Sequence, residues 1–142
     1  MTHQEIRTLV EKFVRAWAAE DLDALLACYD ENAELVSPLL HTQRGIEAIE
    51  RSHQDLFLAF SDVVADVHDI VIDVEHQKAV LVFTINATQK ADFHGVAATG
   101  RRVETPSAFV FHFKNGRIVS DRRLYDYGGF LMQLGILKTR GV

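Results

Sequence analysis

Asn115-Gly116 is the feature of this sequence that most constrains its fold. The pair separates two runs, 103–113 and 117–125, that are rich in β-branched and aromatic residues. Asn-Gly between such runs predicts a β-hairpin, because both central residues of a type I′ turn need positive φ angles. The chain must therefore build a sheet around this hairpin, and the segments before it must cover one of its sides.

An uninterrupted hairpin places Val110 opposite Asp121 and Ala108 opposite Arg123. Because side chains alternate across a strand, the hairpin has two unlike faces. One face carries the apolar residues Phe109, Phe111, Phe113, Ile118 and Leu124, with Ser120 and Arg122 among them. The other face carries Ala108, Val110, His112, Val119, Asp121, Arg123 and Tyr125.

Helical periodicity dominates the N-terminal part of the chain. Thr2 and Glu5 form a capping-box pattern, and the apolar residues that follow recur every three or four positions up to Trp17. Asp21 is a candidate N-cap for a short second helix, and a third helix is predicted from Ile46 to about residue 60. From residue 62 the period changes to two, which predicts strands. This order indicates an α+β fold with helices on one face of a curved sheet.

Composition excludes several classes of function. The 142 residues suit one domain, and a formal net charge of -5 argues against a nucleic-acid partner, since phosphate binding needs a basic surface. Cys28 is the only cysteine, so no internal disulfide is expected. No apolar run approaches the ~20 residues of a membrane span, and the chain opens directly into a helical pattern. We therefore expect one cytoplasmic domain over residues 1–142 without membrane contact.

The seven histidines show no paired spacing of the kind that metal-binding helices carry, so no metal site is predicted. Several residue groups, which span nearly the whole chain, nevertheless occur in an order and at spacings that together indicate a protein family. They are Trp17, Tyr29, 45–49, 59–62, Phe93, Gly95, 99–103, 115–119 and Tyr125-Asp126. In these groups the chain resembles the SnoaL-like polyketide cyclase branch of the nuclear-transport-factor-2-like superfamily.

The resemblance implies a cone-shaped α+β barrel, in which three N-terminal helices pack on a strongly bent, mainly antiparallel sheet around a small-molecule cavity. It also implies an apolar small-molecule ligand, no cofactor and a homodimer packed through the sheet. The superfamily includes cyclases, isomerases, dehydratases, epoxide hydrolases and proteins without catalysis, so the fold does not decide the function.

Asp121, Arg123 and Tyr125 alternate along the last predicted strand, with His112 on the same side of its partner. A carboxylate in a cavity can act as general acid or base, and neighbouring donors can stabilise an enolate oxygen. We therefore predict catalytic roles for Asp121, Arg123 and His112 and a substrate-binding role for Tyr125. In the epoxide hydrolases that the chain resembles, the acid falls at the position of Arg123, which argues against epoxide hydrolysis.

The two faces of the hairpin give conflicting predictions. Hydrophobicity alone directs the phenylalanine face towards the helices, which leaves Asp121, Arg123 and His112 in solvent or in a dimer interface. The resemblance instead places Asp121, Arg123 and Tyr125 in the cavity. Because a cone that dimerises through its sheet can bury both faces, we predict the cavity position.

Further candidates for the cavity wall come from the helices and from the long strand before the hairpin. His53 lies on the apolar side of the third helix, although a hydrogen-bonded core position explains it as well. Gln89 stands where many relatives carry a histidine, and it can hydrogen-bond but not titrate. Aromatic residues at helical spacing are often plain core. The predicted substrate-binding residues besides Tyr125 are Trp17, Tyr29, His53, Phe57, Phe60 and Gln89.

Two functions remain open from the sequence. The first is a cofactor-independent enzyme of the polyketide cyclase or ketosteroid isomerase type, which moves a proton on an apolar carbonyl compound. The second is a non-catalytic ligand-binding or accessory domain with an apolar cavity. A buried Asp121 with a raised pKa favours the enzyme, and an exposed Asp121 favours the binding domain.

Overall fold

The computed structural model describes residues 1–138 of the chain. Helix α1, His3–Ala19, begins at the predicted capping box, in which the Glu5 amide donates to Thr2 Oγ1 and the Thr2 amide donates to the Glu5 carboxylate. Helix α2, Leu22–Leu26, is capped by Asp21, which accepts from the Ala24 amide at 3.1 Å. Both N-caps predicted from the sequence are confirmed.

Helix α3, Ile46–Ala59, follows Gly45, whose φ of 86° lies in the region that favours glycine. The Gly45 amide donates to the carbonyl of Ala33 at 2.8 Å, which ties the start of the helix to the neighbouring strand. The buried side chains of α3 include Ile49, Ser52 and His53, so this helix turns His53 towards the interior.

Six strands form one sheet in the order β2-β1-β6-β5-β4-β3. All neighbours in it are antiparallel except β1 and β6, which run parallel. A fourth helix, α4, Tyr127–Gln133, follows the sheet and was not among the three helices predicted from the sequence. The strands are β1, Tyr29–Ser37; β2, His41–Arg44; β3, Phe60–Asp73; β4, Lys78–Gln89; β5, Arg102–Lys114; and β6, Arg117–Tyr125. The α+β prediction is confirmed, and residues 139–142 of the predicted domain lie outside the described residues.

The core lies between α1 and the inner face of the sheet. Phe13 of α1 is fully buried, and its ring meets Phe111 of β5 edge to face at a centroid distance of 4.9 Å. Phe109 lies 6.1 Å from the same ring. Edge-to-face pairs of this kind add to the free energy gained by burying the rings. The phenylalanine face of β5 therefore faces the helices, as its hydrophobicity predicts.

The Asn115-Gly116 turn is confirmed, with φ angles of 52° and 77° at its two central residues. The register predicted beyond the turn is wrong. Phe113 pairs with Ile118 as expected, but His112 then pairs with Ser120, so β6 carries one extra residue at Val119. Such a β-bulge exchanges the two faces of everything that follows it along the strand.

The bulge resolves the conflict between the two hairpin faces. Asp121 now pairs with Phe111, and Arg123 pairs with Phe109, instead of with Val110 and Ala108. The phenylalanines and the charged pair therefore share the inner face of the sheet. His112 lies on the opposite, exposed face, so the prediction that grouped it with Asp121 and Arg123 is wrong.

Within residues 1–138, no helix is both long enough and apolar enough to cross a membrane.

Candidate functional site

A cavity of about 100 Å³ lies between α1, α3 and the inner face of the sheet. Most of its wall is apolar, with Trp17 from α1, Phe57 from α3 and Phe109 from β5 among the lining side chains. Polar side chains interrupt this wall at seven positions. They are Ser37, Ser52, His53, Thr105, Ser107, Arg123 and Tyr125.

Arg123 and Asp121 form a buried ion pair beside this cavity. The Asp121 side chain is fully enclosed, whereas Arg123, at 7% exposure, reaches the cavity wall. Arg123 donates to Asp121 Oδ2 from Nε at 3.2 Å and from Nη2 at 3.0 Å. The other carboxylate oxygen, Oδ1, is buried without a hydrogen-bond partner in residues 1–138. Asp121 therefore compensates the charge of Arg123 from behind the cavity wall.

Tyr29 and His53 complete the network around the guanidinium. The Tyr29 hydroxyl donates to Asp121 Oδ2 at 2.6 Å and accepts from Arg123 Nη2 at 3.0 Å. His53 donates from Nδ1 to the carbonyl of Ile49 at 2.7 Å, which leaves Nε2 to accept from Arg123 Nη2 at 2.9 Å. This arrangement fixes one neutral tautomer of His53.

The protonation states follow from burial and from the ion pair. Burial and the nearby charge of Arg123 lower the pKa of His53 to about 3, so its imidazole is neutral. Burial and the charge of Asp121 raise the pKa of Tyr29 well above its usual value. Burial alone would lower the pKa of Arg123, but Asp121 and Tyr29 raise it. Burial also raises the pKa of Tyr125.

One donor of Arg123 is left for a ligand. Nε and Nη2 are used by Asp121, Tyr29 and His53, and two aromatic rings lie beside the guanidinium, with Cζ 4.5 Å from the centroid of Phe109 and 5.5 Å from that of Trp17. Nη1 makes no hydrogen bond to residues 1–138, and it is not one of their enclosed polar atoms. Among the nitrogens of Arg123, a residue that lines the cavity, Nη1 is the one that these residues leave without a partner.

Most of the predicted site residues fall into two groups. Trp17, His53, Phe57, Phe60, Arg123 and Tyr125 line the cavity together. Tyr29 and Asp121 are buried behind the wall, where they hold Arg123. His112 and Gln89 belong to neither group.

Gln89 is fully buried and holds the loop that follows β4. Its Oε1 accepts from Thr99 Oγ1 at 2.7 Å and from the Thr99 amide at 3.2 Å. Its Nε2 donates to the carbonyls of Ala91 and Val96. The predicted contact of Gln89 with a ligand is therefore replaced by a structural role.

Two parts of the wall were not identified from the sequence. Leu39 and Leu40 come from the segment between β1 and β2, and Phe130 comes from α4. Asp126 could have marked that helix, since it caps α4 by accepting from the Gly129 amide at 2.9 Å. The pattern of an N-cap followed four residues later by an apolar stretch was present in the sequence.

The comparison with protein families decides where this fold belongs. The family model of the SnoaL-like domain matches residues 10–121. The chain belongs to the SnoaL-like domain family. No functionally curated protein matches the sequence significantly.

Solved structures show the same cone-shaped fold. TsrD from Streptomyces laurentii superimposes with a TM-score of 0.84 at 24% identity, over 96% of this chain and 99% of that one. A proposed SnoaL-like polyketide cyclase from Jannaschia sp. CCS1 gives 0.85 at 17% identity, over 95% and 94%. An LEH-like epoxide hydrolase of M. tuberculosis gives 0.74 at 19% identity, over 92% and 90%. At these identities the likeness establishes the fold of a SnoaL-like protein and leaves the activity open.

Proposed function

We propose that this SnoaL-like protein is a small-molecule-binding domain that holds an apolar carbonyl compound, with the carbonyl oxygen on Nη1 of Arg123. The observation that carries the proposal is a buried guanidinium with one unused donor in the wall of an apolar cavity. A hydrogen bond from a charged donor is roughly twice as strong as one between neutral groups. The aromatic walls bury the remaining apolar surface of the ligand.

The cavity volume limits what enters it. About 100 Å³ is somewhat less than the 150 Å³ of an engineered cavity that accepts benzene, so the enclosed part of a ligand is about one ring. Leu39, Leu40 and Phe130 line the cavity and are partly exposed, so we expect a larger molecule to extend past them. An aryl ketone such as acetophenone has the required apolar ring and carbonyl oxygen.

Trp17 makes the test direct, because it lines the cavity and is the only tryptophan in the chain. We expect acetophenone to change Trp17 fluorescence saturably. The double variant Asp121→Asn/Arg123→Met removes the donor together with its counter-charge, and it should bind acetophenone about 10-fold or more weakly. Arg51→Met is the matched control, since Arg51 lies on the exposed side of α3. Equal affinity of the double variant and the wild type would contradict the proposal.

A second candidate is a cofactor-independent enzyme that moves a proton next to the carbonyl group. It is favoured by Tyr125, which lines the same cavity as Arg123 and whose hydroxyl could help to stabilise an enolate oxygen. The binding domain is better supported, because no aspartate or glutamate of residues 1–138 lines the cavity and the imidazole of His53 is a weak base. Deuterium exchange at the methyl group of acetophenone, followed by proton NMR, separates the two. Exchange above the buffer rate that is lost in Tyr125→Phe would establish the enzyme.

We also propose a homodimer packed through the outer face of the sheet. Exposed Val64, Val71 and Leu124 lie on this face. Val71 pairs with Val80 of β4, and Val80 pairs with Val110 of β5, so these three valines form an apolar row across three strands. A contiguous apolar patch on an exposed sheet face marks an interaction site. Sedimentation should give a dimer at micromolar concentration, and Val110→Glu should give a monomer. A monomeric wild-type protein would contradict the proposal.

A further inference from the structure

The cavity wall carries one formal charge. Arg123 is the only lysine, arginine, aspartate or glutamate among the described residues that line it. His53 is neutral because its Nδ1 donates to Ile49 and its Nε2 accepts from Arg123. Tyr125 is a neutral phenol. The charge balance inside the cavity therefore depends on Arg123 and on whatever compensates it.

Asp121 already supplies that compensation. Its carboxylate is fully buried and accepts two hydrogen bonds from Arg123, and it lies outside the cavity wall. A ligand on Nη1 would thus meet a cation that is already paired with an anion. Oδ1 of Asp121 is enclosed and has no hydrogen-bond partner in residues 1–138, and Arg123 is the only cation of these residues that pairs with the carboxylate.

We infer that the cavity selects neutral carbonyl compounds over carboxylates, and that Asp121 imposes this selection through Arg123. The inference rests on the proposed binding of a carbonyl oxygen at Nη1, and it specifies in addition that the preferred ligand is uncharged. In this role Asp121 is a positioning residue that decides specificity without touching the ligand.

The physical reason is the cost of a second buried anion. A ligand carboxylate must lose its hydration on entering an apolar cavity, and it recovers this cost only beside an uncompensated cation. Here it would share Arg123 with Asp121 and would be repelled by that like charge. A neutral carbonyl oxygen loses far less hydration and still receives a charge-assisted hydrogen bond. Selection of this type depends on a repulsive element as well as on an attractive one.

Benzamide and benzoate test the inference, because they have nearly the same shape and differ in charge. Both are titrated against the wild-type protein at neutral pH, with Trp17 fluorescence and calorimetry as readouts. We expect benzoate to bind about 10-fold or more weakly than benzamide. This comparison needs no variant, so it remains decisive even where a variant fails to fold.

Asp121→Asn then tests which residue imposes the selection. In this variant the amide oxygen can occupy the position of Oδ2 and keep the hydrogen bonds from Tyr29 and Arg123. The amide nitrogen then occupies the position of Oδ1, where no hydrogen bond to residues 1–138 is lost. With the counter-charge removed, the affinity for benzoate relative to benzamide should rise by about 10-fold or more. Asp55→Asn removes the same charge from the exposed side of α3 and should leave the ratio unchanged. A merely structural role of Asp121 would weaken both ligands alike.

The outcomes separate this inference from the function on which it rests. Binding of benzamide and acetophenone together with equally strong binding of benzoate overturns the inference and leaves the proposed function intact. An unchanged ratio in folded Asp121→Asn overturns the role of Asp121. Failure of all three compounds to bind the wild-type protein overturns the proposed function and this inference with it.

Discussion

Arg123 donates two hydrogen bonds to a single oxygen of Asp121, from Nε at 3.2 Å and from Nη2 at 3.0 Å, and both residues belong to β6. Residues two positions apart on a strand point to the same face, so the strand itself sets the geometry of this pair. The pairing directs the third nitrogen, Nη1, away from the carboxylate. The remaining acceptors, Tyr29 and His53, then keep the guanidinium from rotating.

Breaking this pair on one side should be costly. We expect Arg123→Met to lower the free energy of unfolding by about 3–5 kcal/mol, because it leaves the enclosed Asp121 carboxylate without its cation. The double variant Asp121→Asn/Arg123→Met should lose less than this single variant. Urea unfolding of the wild type, the two variants and Arg51→Met, which changes an exposed residue of α3, measures the difference. A double variant that is less stable than Arg123→Met would contradict the expected coupling.

Stability should fall in acid because of His53. Its pKa is about 3 in the folded chain and about 6.5 in the unfolded chain. Between these values the unfolded chain binds more protons, so the contribution of His53 is fully present above about pH 6.5 and is lost as the pH falls towards 3, at up to about 1.4 kcal/mol per pH unit.

His53→Gln isolates this effect, since glutamine can still accept from Arg123 but does not titrate. Urea unfolding between about pH 7 and pH 5 should show a shallower slope for the variant than for the wild type. His3→Gln, which changes an exposed histidine of α1, should retain the wild-type slope. Parallel slopes for the wild type and His53→Gln would show that His53 titrates normally.

The hairpin turn should not tolerate proline. Asn115 has a φ of 52°, and the proline ring fixes φ near −65°. We expect Asn115→Pro to destabilise the chain by about 1–3 kcal/mol in thermal or urea unfolding. Asn115→Gly keeps access to positive φ and serves as the control. An unchanged melting temperature of the proline variant would show that the turn rearranges at no cost.

Gln89 should control the loop after β4. Gln89→Leu keeps the approximate size of the side chain but removes the partners of Thr99, Ala91 and Val96. We expect a loss of about 1–3 kcal/mol and faster amide hydrogen exchange across residues 91–100. Gln54→Leu, on the exposed side of α3, is the matched control. Amide hydrogen exchange in this loop at the wild-type rate in Gln89→Leu would contradict the structural role of Gln89.

The local signals in the sequence predicted most of the fold. Thr2 and Asp21 mark helix starts through side-chain hydrogen bonds that depend only on neighbouring residues. Asn115-Gly116 marks the hairpin for the same reason. The short strand β2 and the helix α4 were missed, because four or seven residues give too little periodicity to distinguish them from loops.

The site was harder to predict because it depends on contacts between distant parts of the chain. Tyr29 and Asp121 are 92 positions apart, and Arg123 and His53 are 70 apart. Asp121 was expected to face a ligand as acid or base, yet it lies behind Arg123 in a fully enclosed position. His112 was assigned to the wrong face because no residue near Val119 in the sequence indicates a β-bulge. Alternation along β6 fails at that one residue.

Val119 also bears on how related chains are to be aligned. A β6 strand without this residue would reach the same inward Asp-x-Arg arrangement with unbroken alternation, since removal of one residue after Ile118 restores regular pairing. Two such chains would present identical chemistry to the cavity and would superimpose only with a single-residue gap just after Ile118. Gap-free alignment across this hairpin would match the inner residues of one chain with the outer residues of the other.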